Sequence, residues 1–126
     1  MQKRSVFQIL LVVGGLGLLA GLAQAAAPEL VVNGQVIRTN PGIVVEEGIS
    51  YGPLRATAEA VGGEVEWHAD QQMAVICRGQ QCVRIRASEG IMRHNRLLLP
   101  IRKLAESLGG TVAWVSSPPQ VRITIK

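Results

Sequence analysis

The stretch PLRATAEAVGGEVEW, residues 53–67, recurs 47 positions later as PIRKLAESLGGTVAW, residues 100–114, with eight of the fifteen residues identical. Each copy begins with a proline, Pro53 or Pro100, which favours the first turn of a helix because its missing N–H would have no partner there. Apolar residues follow at the spacing i, i+3, i+4, i+7, which places them on one helix face. Each copy therefore predicts an amphipathic helix of about ten residues.

A pair of glycines ends each predicted helix, and a strand follows it. Such glycines supply the left-handed residue with which many helices terminate. Apolar and polar residues then alternate up to Trp67 in the first copy and Trp114 in the second, which is typical of a half-buried strand. Because Trp67 shares a strand face with Val65, and Trp114 with Val112, we predict that both rings anchor the core. The alternative is exposed rings that stack on sugars.

Turn residues predict two further hairpins. Asn33-Gly34 stands between two apolar runs, which is the strongest short-range hairpin signal. In residues 73–85, a two-residue turn centred on Gly79-Gln80 sets Cys77 opposite Cys82 and leaves Arg84 and Arg86 on the side away from the apolar residues.

Each copy therefore predicts strand, helix, strand, strand. Two such units, about residues 30–78 and 79–126, are predicted to share one core in an α+β domain with pseudo-twofold symmetry and short helices packed on antiparallel sheet. The recurring residues are Pro53, Arg55, Glu59, Gly62, Gly63 and Trp67 in the first copy and Pro100, Arg102, Glu106, Gly109, Gly110 and Trp114 in the second.

The first 25 residues have the pattern of a signal peptide. Lys3 and Arg4 form a charged start, an apolar run follows, and AQA, ending at Ala25, offers the small residues that signal peptidase needs. We predict cleavage there and one secreted or envelope-located domain, residues 26–126. The alternative is an uncleaved membrane anchor, since the apolar run is near the ~18 residues that a membrane span needs.

Composition excludes nucleic acid as a partner. Without Lys3 and Arg4, eleven basic and nine acidic residues remain, so the mature chain carries a net charge near +2. Its only aromatic residues are Tyr51, Trp67 and Trp114, whereas single-strand binders place stacking rings among their basic residues.

No catalytic or metal-binding motif is found. His68 and His94 are the only histidines, and without a clustered third ligand they predict surface residues rather than a copper or zinc site. The serines lack a G-x-S-x-G setting. The acidic pairs at 46–47 and at 64 and 66 are typical of solvated charge rather than of a glycosidase acid and base. We predict no enzyme activity, no metal and no cofactor.

Two pairs of side chains have predicted structural roles. Cys77 and Cys82 predict a disulfide in an exported chain, with two free thiols as the alternative. In each helix an Arg precedes a Glu by four positions, which is the weaker orientation for a helical ion pair. Its recurrence indicates that Arg55 and Arg102 reach off their helices, as a tether to a strand carbonyl rather than as ligand-binding groups.

The order PLR or PIR, AE, GG, Val and Trp, found twice, resembles the copper amine oxidase N-terminal-like domain, also called the stalk domain, over nearly all of residues 30–126. The resemblance implies a non-catalytic α+β module of exported and cell-surface proteins of Gram-positive bacteria. The oxidases use three His ligands and a quinone made from a Tyr, and this chain, with two His and one Tyr, does not supply that set.

We therefore predict an exported stalk-like module that contacts a cell-wall polymer or an envelope protein, with its oligomeric state left open. The alternative is a structural spacer or assembly subunit without a ligand. A concave patch of basic side chains would favour contact with an anionic polymer, and a dispersed set would favour the spacer. The candidate binding residues are Arg84, Arg86, Arg93 and Arg96.

Overall fold

The computed structural model describes residues 27–126. The predicted signal peptide, residues 1–25, lies outside the described residues and stays a prediction. Residues 27–126 fold into eleven strands, two α-helices and one short 3-10 segment at Ala87–Glu89. In chain order the strands and helices are β1 (Glu29–Val32), β2 (Gln35–Ile37), β3 (Val44–Glu46), β4 (Ile49–Pro53), α1 (Leu54–Ala60), β5 (Glu64–His68), β6 (Met73–Arg78), β7 (Gln81–Arg86), β8 (Ile91–Arg93), β9 (Arg96–Pro100), α2 (Ile101–Ser107), β10 (Thr111–Ser116) and β11 (Pro119–Thr124).

The strands form three sheets. Sheet A has the order β3-β4-β9-β8, sheet B the order β10-β11-β1-β2, and sheet C the order β5-β6-β7. Every neighbouring pair is antiparallel except β1 and β11, which run parallel. The predicted α+β class is therefore confirmed. Within residues 27–126, three sheets replace the antiparallel sheet that we expected, and β1 enters sheet B beside β11.

Both helices are shorter than the predicted ten residues, because each contains seven. Pro53 and Pro100 have extended backbone angles and serve as N-caps at the end of a strand rather than as helical residues. At the other end Gly62 has a φ of 81° and Gly109 a φ of 97°, which confirms the predicted left-handed residues. The next residue after Gly62, Gly63, donates its N–H to the carbonyl of Ala58 at 2.8 Å, which completes a Schellman motif.

The predicted hairpins have the expected register. Asn33 and Gly34 both have positive φ, as a type I′ turn requires. Cys77 lies opposite Cys82 between β6 and β7, and the two sulfurs are joined in a disulfide.

One core joins the two copies of the repeated sequence. It contains Ala58 and Val61 at the end of α1, Leu104 of α2, Leu108 directly after α2, and inward-facing residues of all three sheets. The largest side chains with almost no exposed surface are Leu30, Ile76, Ile85, Leu98, Leu99, Ile101, Leu104, Leu108 and Ile123.

The prediction that the tryptophans anchor this core is wrong. Trp67 is 37 % exposed and Trp114 is 48 % exposed. Val65 and Val112, two residues earlier, do pack against the core. The residues paired opposite the two rings, Ala74 and Val121, are also buried in the core. The alternation had therefore identified the correct strand face, but β5 and β10 are edge strands, which leaves their tryptophans exposed at the rim of that face.

Asn33 connects the first hairpin to the C-terminus. Its amide nitrogen donates to the carbonyl of Ile125 at 2.8 Å, and its amide oxygen accepts the Ile125 N–H at 3.0 Å. The backbone N–H of Asn33 also donates to the carbonyl of Ile123 at 2.9 Å. The side chain therefore continues the pairing of β1 with the end of β11.

We expect Asn33→Ala to lower the free energy of unfolding by about 1 to 2 kcal/mol more than Asn95→Ala, because two partly buried hydrogen bonds are lost. Asn95 is a suitable control: it has a φ of 62°, close to the 50° of Asn33, so the backbone cost of alanine is similar. Asn95 makes no side-chain hydrogen bond to another described residue. Urea denaturation measures both variants, and equal losses would show that the connection to Ile125 adds nothing.

Candidate functional site

A groove with a volume of about 530 Å³ lies between the β3–β4 hairpin and strand β10. Three exposed apolar side chains line it: Val45 at 42 %, Ile49 at 45 % and Trp114 at 48 % exposure. We call this the apolar groove and define it by Val45, Ile49, Arg102, Val112 and Trp114. It holds half of the six large apolar side chains that the structure exposes, so these are concentrated rather than scattered.

Arg102 is the one charged residue that lines the apolar groove. Its guanidinium donates to the carboxylate of Glu106 at 2.9 Å and to the carbonyl of Val112 at 3.1 Å. The predicted tether from helix to strand is therefore present in the second copy. Because Glu106 balances its charge, the groove has little net charge.

A second groove, of about 280 Å³, lies between the start of α1 and the β8–β9 turn. Its polar lining consists of Asn40, Arg55, Asn95 and Arg96, and we call it the cationic groove. Among the described residues no carboxylate forms an ion pair with Arg55 or Arg96. Arg55 therefore differs from Arg102: among the described residues its side chain makes no hydrogen bond to a strand carbonyl, so the predicted tether is found for Arg102 and not for Arg55.

The two grooves use positions that are 47 residues apart. Arg55 of the cationic groove corresponds to Arg102 of the apolar groove, 47 positions later. Arg96 of the cationic groove corresponds to Ile49 of the apolar groove, 47 positions earlier. The same offset of 47 would have related these residues in the sequence. What the sequence did not indicate is that residues from a hairpin and from a helix start line one concavity.

The four arginines predicted as a binding patch lie on two sheets. Arg84 and Arg86 are exposed on β7 of sheet C. Arg93 and Arg96 face each other across the β8–β9 turn of sheet A, and Arg93 pairs with Glu46. The apolar groove contains none of the four, and the cationic groove contains Arg96 alone.

Glu89 stabilises the short 3-10 segment that follows Arg86 through two hydrogen bonds. Its carboxylate accepts a hydrogen bond from Lys103 of α2 and another, at 2.9 Å, from the backbone N–H of Arg86. The Lys103 hydrogen bond, followed by that from Arg86, lowers the pKa of Glu89 below its ordinary value. The ionised carboxylate therefore joins the end of β7 to the helix beside it.

The predicted surface histidines lie apart. His68, at the end of β5, contacts the carboxylate of Glu66 at 2.9 Å, and His94 lies in the β8–β9 turn with a φ of 52°. Within residues 27–126 no three His, Cys, Asp or Glu side chains are grouped as a metal site would require. The helices of this part are too short or too polar to cross a membrane.

A match to a family model shows to which protein family the chain belongs. The family model described as the copper amine oxidase N-terminal domain matches residues 31–95, which is more than half of the 126 residues. The chain belongs to this family. The matched part begins in β1 and ends in the β8–β9 turn, so it contains the first copy of the repeated sequence and not the second. No curated protein and no solved structure matches the chain.

Membership of the copper amine oxidase N-terminal domain family agrees with the resemblance seen in the sequence. The N-terminal domain of copper amine oxidases is a non-catalytic domain.

Proposed function

We propose that the protein is an exported, non-catalytic contact module of the cell envelope and that its partner is an anionic envelope polymer. The cationic groove is the observation that carries this proposal. Two guanidinium groups without a carboxylate partner in the described chain, Arg55 and Arg96, line one concavity with the amides of Asn40 and Asn95. Guanidinium groups bind phosphates and carboxylates through paired N–H donors, and amides add further donors.

Export is part of the proposal. The signal-peptide pattern that ends at Ala25 supports it, and so does the Cys77–Cys82 disulfide, because disulfides persist mainly in oxidising compartments.

The pseudo-twofold arrangement is likewise proposed. Helices α1 and α2 begin 47 residues apart, and so do strands β4 and β9. If the two copies are related by a twofold axis, each presents a groove at the same place. Substitution at the groove positions then gives one module two different contact surfaces.

The exported protein should co-sediment with cell-wall sacculi from its source organism at low salt. Binding should weaken as salt rises to physiological concentration, because exposed charges are then screened over ~8 Å. Sedimentation followed by quantification of the bound fraction measures this. Absence of sedimentation at low salt would reject the polymer as partner and leave the structural spacer as the function. The placement of Arg84, Arg86, Arg93 and Arg96 on two sheets supports that alternative.

Arginine variants test whether binding depends on the cationic groove or only on the net charge of the protein. Arg55→Ser combined with Arg96→Ser should remove most of the binding. Arg38→Ser combined with Arg122→Ser removes the same charge from exposed positions outside the cationic groove and should retain most of it. Equal losses in the two double variants would mean that only net charge matters and that the groove is not the site.

The predicted binding patch also includes Arg84 and Arg86 on sheet C, and a separate variant tests them. Replacing Arg84 and Arg86 by Ser, with Arg93 and Arg96 kept, shows whether sheet C takes part. Unchanged binding would restrict the site to the cationic groove, and a loss comparable to that of the groove variant would extend it to β7.

A further inference from the structure

Strand β10 forms one edge of sheet B, where it pairs with β11 on one side. Within residues 27–126 no other strand pairs with its outer side. Its six residues, TVAWVS, include no charged residue and no proline. Edge strands of soluble proteins are normally protected by such residues, because their free N–H and C=O groups are a template for another strand.

Strand β5, the equivalent of β10 in the first copy, is an edge strand that charged side chains protect. It forms the edge of sheet C and carries Glu64 and Glu66, both exposed. Thr111 and Ala113 stand at the positions 47 residues later, on β10. The chain therefore has a charged edge in one copy and an uncharged edge in the other.

The apolar groove lies directly beside the uncharged edge. Trp114 belongs to both, and Val45 and Ile49 line the facing wall. An exposed apolar cluster of this kind on a small protein is typical of a surface that another molecule covers. The edge and the groove together offer backbone hydrogen bonds and apolar area to the same partner.

We propose that this partner is a second copy of the same chain, whose β10 pairs antiparallel with β10 about a twofold axis. A symmetric dimer needs a surface that is complementary to itself. An antiparallel pair of identical strands meets this condition in its hydrogen bonds, and β10 brings no like charges together. The same pairing of β5 would place Glu64 and Glu66 close to their own copies.

The dimer joins two four-stranded sheets into one of eight strands, and the Trp114 rings lie near its axis. The proposed pairing is centred on Trp114, toward the C-terminal half of the strand. The contact involves no residue of the cationic groove. It stands or falls independently of the proposed binding to an envelope polymer.

Analytical ultracentrifugation of the mature protein should show a reversible monomer–dimer equilibrium. Ala113→Glu transfers to β10 the charge that β5 carries at Glu66, and it should weaken dimerisation by about tenfold or more. Val36→Glu places the same charge on an exposed residue of β2, at the opposite edge of sheet B, and should leave the dissociation constant unchanged. Near-ultraviolet circular dichroism confirms that each variant is folded.

A second readout does not depend on the Ala113 variant. In Trp67→Phe the fluorescence reports Trp114 alone, and its emission should shift to shorter wavelength as rising concentration drives the protein into the dimer. A chain that stays monomeric at millimolar concentration overturns the proposal. So does a dimer that Ala113→Glu leaves intact, a Val36→Glu variant that dissociates equally, or a Trp114 emission that is independent of concentration.

Discussion

Replacement of Leu104 by alanine should lower the free energy of unfolding by about 2 to 5 kcal/mol, the usual cost of truncating a buried leucine. Leu104 is fully buried in α2, in the core that both copies of the repeated sequence share. Its removal leaves a cavity that Ile101 and Leu108, on the same helix face, cannot fill without moving the helix. The total free energy of unfolding of a domain of about 100 residues is only about 5 to 15 kcal/mol. The variant should therefore lose a large part of its stability.

Met92→Ala is the control for this prediction. Met92 is 57 % exposed on β8, so its truncation removes a large apolar side chain without opening a cavity. We expect a loss below about 0.5 kcal/mol, as for most surface substitutions. Urea denaturation with both variants at equal concentration gives the comparison. If Leu104→Ala were as stable as Met92→Ala, α2 would not pack on the core as described.

Gly90→Ala should destabilise the protein by about 3 kcal/mol, at the upper end of what overpacking costs, because backbone must move. A Cβ at this position would lie 2.3 Å from the carbonyl oxygen of Leu98 and 2.9 Å from a methyl group of Leu99. The backbone angles of Gly90, −109° and −169°, suit any residue. The expected effect is therefore steric and comes from the close approach of β9.

Gly42→Ala provides the matched control. A Cβ there would meet nothing within 4 Å, and Gly42 has no positive φ. Alanine should thus leave stability unchanged or raise it by up to about 1 kcal/mol, since it restricts the unfolded chain. Thermal unfolding of both variants separates them. A tolerated Gly90→Ala would mean that β8 and β9 approach less closely than the structure has them.

The local features of the fold were predictable from the sequence. The left-handed glycines Gly62 and Gly109, the hairpin turn at Asn33-Gly34 and the register that joins Cys77 to Cys82 were all predicted correctly. Each depends on residues only a few positions apart, whose backbone preferences act wherever the segment lies. The family was predictable for a similar reason, since its motif is a run of neighbouring residues.

The candidate sites were predictable only in part. The sequence pointed to Arg96 as a binding residue, and it wrongly predicted Trp114 as a core anchor rather than an exposed ring. It did not indicate that Arg96 shares a groove with Arg55, or that Trp114 shares one with Ile49. Both groupings bring a helix start or an edge strand next to a hairpin from the other copy of the repeat.

The sequence by itself determined where the chain turns, where its helices end and which strand faces are apolar, because these follow from short-range backbone preference and from alternation. Only the tertiary structure decided which strands lie at the edges of the sheets. Trp67 and Trp114 stand on the edge strands β5 and β10 and are exposed, although the residues paired opposite them, Ala74 and Val121, are buried in the core. Edge position and burial depend on which distant strands and helices pack together, and alternation within one strand does not reveal this.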